Sequence, residues 1–265
     1  MSRLRKRLKI GIFNAEYRVM ANQRSIICRW RRCLRIALDR LFDRYYGIDT
    51  TSSTMIHARE KGCFDDANVN GPVSYWLLAK YIDRNLMTQN DVFYDVGCGH
   101  GRVLSFVARR KLRKCVGVEL SSDFAKMAEA NAGTLRLRMS PIEIKVGDAV
   151  QMDYRDGDIF FFGDPFGYAT LRAVLARIRQ TLEVRPRRIL CIFWIPLYVD
   201  PRVERVIQST GWLTRLRQKK VFYSPMRAEY WGCAPSLPTF TDLRTNSGSL
   251  LHRQAVESAK PQVDF

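Results

Sequence analysis

Paired cysteines, histidines and long apolar runs are what this sequence of 265 residues has little of. Its seven cysteines (Cys28, Cys33, Cys63, Cys98, Cys115, Cys191 and Cys233) form no C-x-x-C pair, and the only histidines are His57, His100 and His252. A zinc cage and a disulfide framework are therefore excluded as the basis of the fold, no metal site is expected, and the thiols read as reduced and mostly buried. No window approaches the ~18 consecutive apolar residues that a membrane-spanning helix needs. The basic opening "SRLRKRLKIGIFNAEYRVM" lacks the ~7 to 15 apolar residues and the cleavage site of a signal peptide. A cytoplasmic protein is expected. Internal repeats are absent.

What is present is enough apolar residue content, 46%, for one sizeable core in a chain short for two full domains. The net charge of +18 is uneven: residues 1 to 46 hold 13 Lys and Arg against 3 acids (Glu16, Asp39, Asp43), leaving +8 for the rest. Clustered cations gain from displacing counterions, so this segment suits nucleic acid or an anionic membrane surface; a solubilising face has the same composition. From Ser25 to Tyr46, Ile26, Ile27, Trp30, Leu34, Leu38, Leu41 and Tyr45 recur at three- and four-residue spacing, with Arg29, Arg32, Arg35 and Arg40 mostly on other faces. The spacing predicts an amphipathic helix, whose commoner use is to pack its stripe on the main domain as a cap. "GIDTTSST" breaks it, and a second helix is predicted from Val73 to Asn85.

The chain then alternates. "DVFYDVG", "KCVGVEL", "IEIKVGD", "DIFFFGD" and "RILCIFWI" read as strands, with "GRVLSFVARRK", "SDFAKMAEANAGTLRLR" and "YATLRAVLARIRQTL" as helices between them. Several of these runs are apolar on both faces, as parallel strands covered by helices on each side must be. The fold class is α/β, doubly wound. A further helix, "PRVERVIQST", precedes "GWLTRLRQKKVFY" and "RAEYWGCA", two strand-like runs spaced for a hairpin that closes the sheet with an antiparallel member. The expected division is a basic helical extension over 1–69, a catalytic-size domain over 70–233 and a mobile tail over 234–265.

"YDVGCGHGRVL", residues 94 to 104, sets Gly97, Gly99 and Gly101 at alternate positions after the first strand. Glycines there let a ligand and the backbone approach closely at the carboxyl end of a parallel sheet. A dinucleotide fingerprint would carry its third glycine at position 102, where Arg102 stands. With no pyrophosphate to seat, the tighter turn suits a ligand whose charged part is an amino acid. Asp95 supplies an anion for an ammonium or sulfonium group. Glu119, ending the second strand, can accept both hydroxyl protons of a ribose. Asp148 in "VGDAV", next to Ala149, can accept from an adenine amine, with Val150 or Met152 to flank the ring, although Gly-Asp is also an ordinary turn pair.

In order and spacing, "DVFYDVGCGHGRV", "VGVEL", "VGDAV" and "GDPFG" resemble the class I S-adenosylmethionine methyltransferases over residues 70 to 232. The resemblance implies a Rossmann-like seven-stranded sheet with an antiparallel last strand. It also implies S-adenosyl-L-methionine as cofactor, bound through Asp95, Gly97, Gly99, Gly101, Glu119, Asp148 and Ala149. Tyr75 stands where related enzymes place an aromatic over the donor, or is a core tyrosine.

"FFFGDPFGY", residues 160 to 168, looks like the Asp/Asn-Pro-Pro-aromatic loop of amino-group methyltransferases. That likeness gives Asp164 and the Pro165 carbonyl the role of accepting protons from a substrate nitrogen, and Phe166 that of stacking on it. Phe166 replaces the second proline and Gly167 the aromatic, so "DPFG" is closer to bacterial members without assigned substrates and more distantly similar to the non-SET histone-lysine methyltransferases. An amine attacks only when neutral, and a carboxylate beside an ammonium opposes its deprotonation. A nucleobase or amide nitrogen avoids this tension. Trp194 and Tyr198 are candidates to line the acceptor pocket, and His100 is read as a solvent-facing turn residue rather than a base. No Pro-Cys nucleophile for carbon-directed pyrimidine methylation is present. The expected activity is methyl transfer to nitrogen of a macromolecule, protein lysine or RNA. The alternatives are a small-molecule methyltransferase with the N-terminal helices as a lid, and a non-catalytic cofactor-sensing or RNA-binding scaffold.

Overall fold

The computed structural model describes residues 26–51, 72–196, 199–221, 224 and 226–233. Tyr198 and the tail expected over 234–265 lie outside the described residues. Among the described residues six α-helices accompany seven strands: α1 (Ile26–Tyr46), α2 (Tyr75–Tyr81), β1 (Val92–Val96), α3 (Arg102–Val107), β2 (Lys114–Glu119), α4 (Ser122–Thr134), β3 (Ile142–Val146), β4 (Ile159–Phe162), α5 (Tyr168–Val184), β5 (Ile189–Pro196), α6 (Pro201–Gln208), β6 (Thr214–Lys220) and β7 (Met226–Cys233). The strands form one sheet in the order β3-β2-β1-β4-β5-β7-β6. Pairings among β1 to β5 are parallel, and β7 runs antiparallel to both β5 and β6. The hairpin expected at the end of the chain is present, and β7 slots inside it against β5, leaving the more exposed β6 at the edge.

Alternation along the central strands divides the core between two faces. Phe93, Phe161 and Ile192 point to one face, where Leu78 and Tyr81 of α2 and Leu104 of α3 cover them. Tyr94, Phe160, Phe162 and Phe193 point to the other, under Val174 and Ile178 of α5 and Val206 of α6. Both sides of these strands are buried, which is why their sequences read as unbroken apolar runs.

Three helices stop short of their periodic patterns, each for a tertiary reason. The helix expected over Val73–Asn85 ends at Tyr81, because Asp83 accepts a hydrogen bond from the Asn85 amide and turns the chain into the single 3-10 turn Arg84–Leu86. The pattern over residues 122–138 stops at Thr134, where Arg136 N donates to Tyr46 O of α1 and Leu137 takes a left-handed conformation. The helix after the glycine turn ends at Val107 as the Ala108 carbonyl accepts from the Met139 and Ser140 amides.

Tyr46, the last residue of α1, and Ile48, just past it, are buried in the same cluster as α2 and α3. The segment that follows them is bonded to the glycine turn: Asn131 of α4 accepts from Asp49 N at 2.8 Å and donates to the carbonyl of His100 at 2.9 Å.

Candidate functional site

In the strand order, β1 and β4 are the neighbours from which the connections lead off in opposite directions, so their carboxyl ends form the switch point at which parallel sheets of this kind receive ligands. The glycine turn leaves β1 there and the Asp-Pro-Phe loop leaves β4. The two loops touch. A Cβ placed on Gly97 would lie 2.4 Å from Pro165 Cβ, and Gly97 has φ +82°, so any side chain here would push the two loops apart. Gly99 and Gly101 also have positive φ, at 53° and 78°. Gly97 N and Cys98 N both donate to the carbonyl of Val118, tying the turn to β2.

Asp95, on the face of β1 shared with Phe93, is 2% exposed, and its Oδ2 is buried with no hydrogen-bond partner. Burial, then the nearby Glu119, pushes its carboxyl up to about 8. Glu119 accepts from Gly99 N at 2.8 Å and from Ser121 N at 2.9 Å; burial still raises its pKa. Among the described residues neither acid is paired with a lysine or arginine. Glu119 therefore braces the glycine turn, while each of its carboxylate oxygens keeps further acceptor capacity. Two acids buried together without a cation form a pocket of unbalanced acceptors.

Asp148 accepts from Val150 N at 2.9 Å and caps a 3-10 turn over Ala149–Gln151, so the turn reading of Gly-Asp holds, with its second oxygen not used by that bond. Asp164 is one of two non-glycine residues described with positive φ, at 58°. Aspartate tolerates this region better than most residues, at some strain. The bend carries the chain from Phe162 directly onto Gly97. Phe166 is half-buried, its ring edge-on to Phe162 with centroids 6.4 Å apart. Trp194 follows the β5 residue paired with Phe162, and its Nε1 is buried without a partner.

One sequence reading changes, and the core reading of Tyr75 matches its burial. His100 does not face solvent: it is 6% exposed, packed edge-on against Phe124 at 5.0 Å, and burial lowers its pKa. Tyr75 is a core tyrosine whose hydroxyl donates to Asp43 Oδ1 at 2.5 Å and whose ring lies under the Arg102 guanidinium at 5.1 Å. Its hydroxyl is committed to fastening α1.

Residues 61–159 match a family model described as histone methylation protein DOT1. That span runs from ahead of α2 to the start of β4 and contains the glycine turn with both of its acids. Over that span the chain is similar to a methyltransferase family. Solved structures similar to the chain include an RNA methyltransferase from Salinibacter ruber in complex with S-adenosyl-L-homocysteine, at 20% identity and TM-score 0.45, with 63% of this chain and 97% of that chain covered. A SAM-dependent methyltransferase from Methanosarcina mazei is 11% identical with TM-score 0.45, covering 60% and 97%. The tRNA m1G37 methyltransferase of M. jannaschii is 13% identical with TM-score 0.44, covering 61% and 48%.

Sequence reasoning missed the clasp beside the glycine turn. Arg102, first residue of α3, is 4% exposed; its Nη1 donates to Asp39 Oδ2 at 3.1 Å, its Nε donates to Thr50 Oγ1 at 2.6 Å, and Nη2 lies 3.8 Å from Asp43 Oδ2. Asp39 also accepts from Tyr75 N at 3.0 Å, and Asp43 from Thr50 N at 2.8 Å. One signal was available. Asp39 and Asp43, four residues apart in an arginine-rich helix, share a helical face and are its only acids.

Proposed function

We propose that this chain is a methyltransferase that carries a methyl group to a nitrogen of a macromolecule, a protein lysine or an RNA base. The observation that carries the reading is the partnerless, buried Asp95 oxygen at the carboxyl end of β1, beside a glycine turn held against the Asp-Pro-Phe loop. A buried carboxylate without a partner is costly unless a cation arrives, and the bare turn leaves room for one. These features fit S-adenosyl-L-methionine, which supplies a methyl group on a positively charged sulfur. Asp95, Gly97, Gly99, Gly101, Glu119, Asp148 and Ala149 would hold it. Asp164, the Pro165 carbonyl and Phe166 orient the acceptor nitrogen and exclude water from it, which is most of what an in-line displacement asks of a protein.

In this reading residues 70–233 form the catalytic domain and 1–69 the basic extension, with Asp39, Asp43, Tyr46, Ile48 and Thr50 of that extension buried against the domain. The family match to a histone methylation protein supports a protein amino group; the neutral-nitrogen argument supports RNA. No helix among the described residues is long and apolar enough to cross a membrane. The free cysteines Cys33, Cys98, Cys115, Cys191 and Cys233 fit the reducing cytoplasm.

The test has two stages. Calorimetry should show binding of S-adenosyl-L-methionine and none of NAD. A labelled-methyl assay on cell extract treated separately with protease and ribonuclease then names the acceptor by the treatment that removes the label. Label that survives both would place the methyl group on a small molecule and overturn the macromolecular reading.

A further inference from the structure

The apolar stripe of α1 was expected to lie on the domain. The structure turns the helix over. Asp39, Asp43 and Tyr46 face inward and are buried, whereas Trp30 is 72% exposed, Leu34 60%, Leu38 45%, Leu41 63% and Tyr45 61%. At 3.6 residues per turn these five side chains fall within an arc of roughly 80°, on the side of the helix away from the buried acids. Arg35 lies on one flank of the arc, and Arg40 and Arg44 on the other, all exposed. The reversal has a physical cause. Arg102 needs carboxylates, and the only two in the helix are on the inward face, so the clasp outweighs burial of the stripe.

Because both acids are spent on Arg102, Tyr75 and Thr50, the outward charge of α1 among the described side chains is positive alone. We propose that this face docks on an anionic lipid bilayer, with the Trp30-Leu34-Leu41-Tyr45 stripe at the acyl boundary and Arg35, Arg40 and Arg44 among the headgroups. An apolar stripe edged by cations is what an interfacial helix requires. A second copy of the chain fits less well. Two such faces would bring arginines together with no acid between them, and the stripe spans fewer than the ~3 heptads that sustain a coiled coil. Nucleic acid would use the arginines and leave the leucines in water. The proposal is independent of the methyl acceptor, and its test does not read methyl transfer.

The experiment is co-sedimentation of the full chain with vesicles of phosphatidylcholine alone and of equal parts phosphatidylcholine and phosphatidylglycerol. Binding is expected to the anionic vesicles only, and to fall with added salt. The double variant Leu34→Glu, Leu41→Glu should lose it while melting at the wild-type temperature, because both side chains are exposed. Arg35→Glu with Arg40→Glu should lower partitioning by about tenfold or more, since each cation near such a surface contributes appreciably. The proposal is overturned by any of three results: no sedimentation with anionic vesicles, undiminished sedimentation of the leucine variant, or a dimer in analytical ultracentrifugation that the leucine variant abolishes. Displacement of the chain from vesicles by single-stranded RNA, with the leucine variant retaining full RNA affinity, would assign the face to nucleic acid instead.

Discussion

Two pairs of buried carboxylates lie on either side of the glycine turn, and they are opposites. Asp39 and Asp43 have Arg102 between them, together with Thr50, the Tyr75 amide and the Tyr75 hydroxyl. Asp95 and Glu119 have backbone amides for Glu119, nothing for Asp95 Oδ2, and no cation. The first pair is completed by the protein and holds α1 to the domain. The second is left incomplete at the switch point where a parallel sheet receives its ligand. Burial raises the pKa of both Asp39 and Asp95, and in Asp39 the Arg102 charge opposes it. What separates scaffold from site is thus whether the chain itself supplies the counter-charge.

The largest expected effect tests the completed pair. Arg102→Ala leaves two buried acids uncompensated, and thermal or denaturant unfolding should show a loss of about 3–5 kcal/mol. A loss within the range of an ordinary surface substitution would mean the clasp holds nothing. The incomplete pair should respond the other way. Asp95→Asn should leave the ligand-free domain at least as stable as before at neutral pH, and calorimetry should show S-adenosyl-L-methionine affinity lower by roughly ten- to a hundredfold, the range for a hydrogen bond to a charged group. If the variant instead unfolds as Arg102→Ala does, Asp95 belongs to the scaffold and the contrast disappears.

The remaining effect is in pH. Asp95 in the folded chain keeps its proton up to about 8, while an unfolded aspartate loses it near about 3.9. Its raised pKa favours the fold at low pH, and that contribution fades as pH rises from about 4 through about 8. The same substitution to Asn should therefore flatten the fall in stability over that window. A cationic donor should also expel the proton, so binding heats at neutral pH should vary with the ionisation enthalpy of the buffer, with about one proton released per donor bound. Heats that do not depend on the buffer would show Asp95 already ionised, or untouched by the donor.

Most strands and the two loops at the switch point were legible in the sequence because their signals are local. Val92–Val96, Lys114–Glu119 and Ile159–Phe162 are buried on both faces, so burial appears as a plain apolar run, and Gly97, Gly99 and Gly101 announce a turn that only bare backbone can make. The helix ends were less legible, since hydrogen bonds from distant residues, such as Met139 N to Ala108 O, cut them short. His100 was misplaced for a similar reason: its turn is roofed by Phe124 and by Asn131, neither of which is near it in sequence.

The orientation of α1 was beyond the reach of periodicity. Spacing showed that the helix has an apolar stripe and a polar face, and nothing local states which of them the domain will cover. That choice rests with Arg102, some sixty residues away along the chain, which draws Asp39 and Asp43 inward and leaves Trp30, Leu34 and Leu41 outside. Order along the chain thus set the strands, the glycine turn and the presence of the acids. Folding in three dimensions assigned each acid its partner, because a charge can be neutralised only by what lies beside it in space.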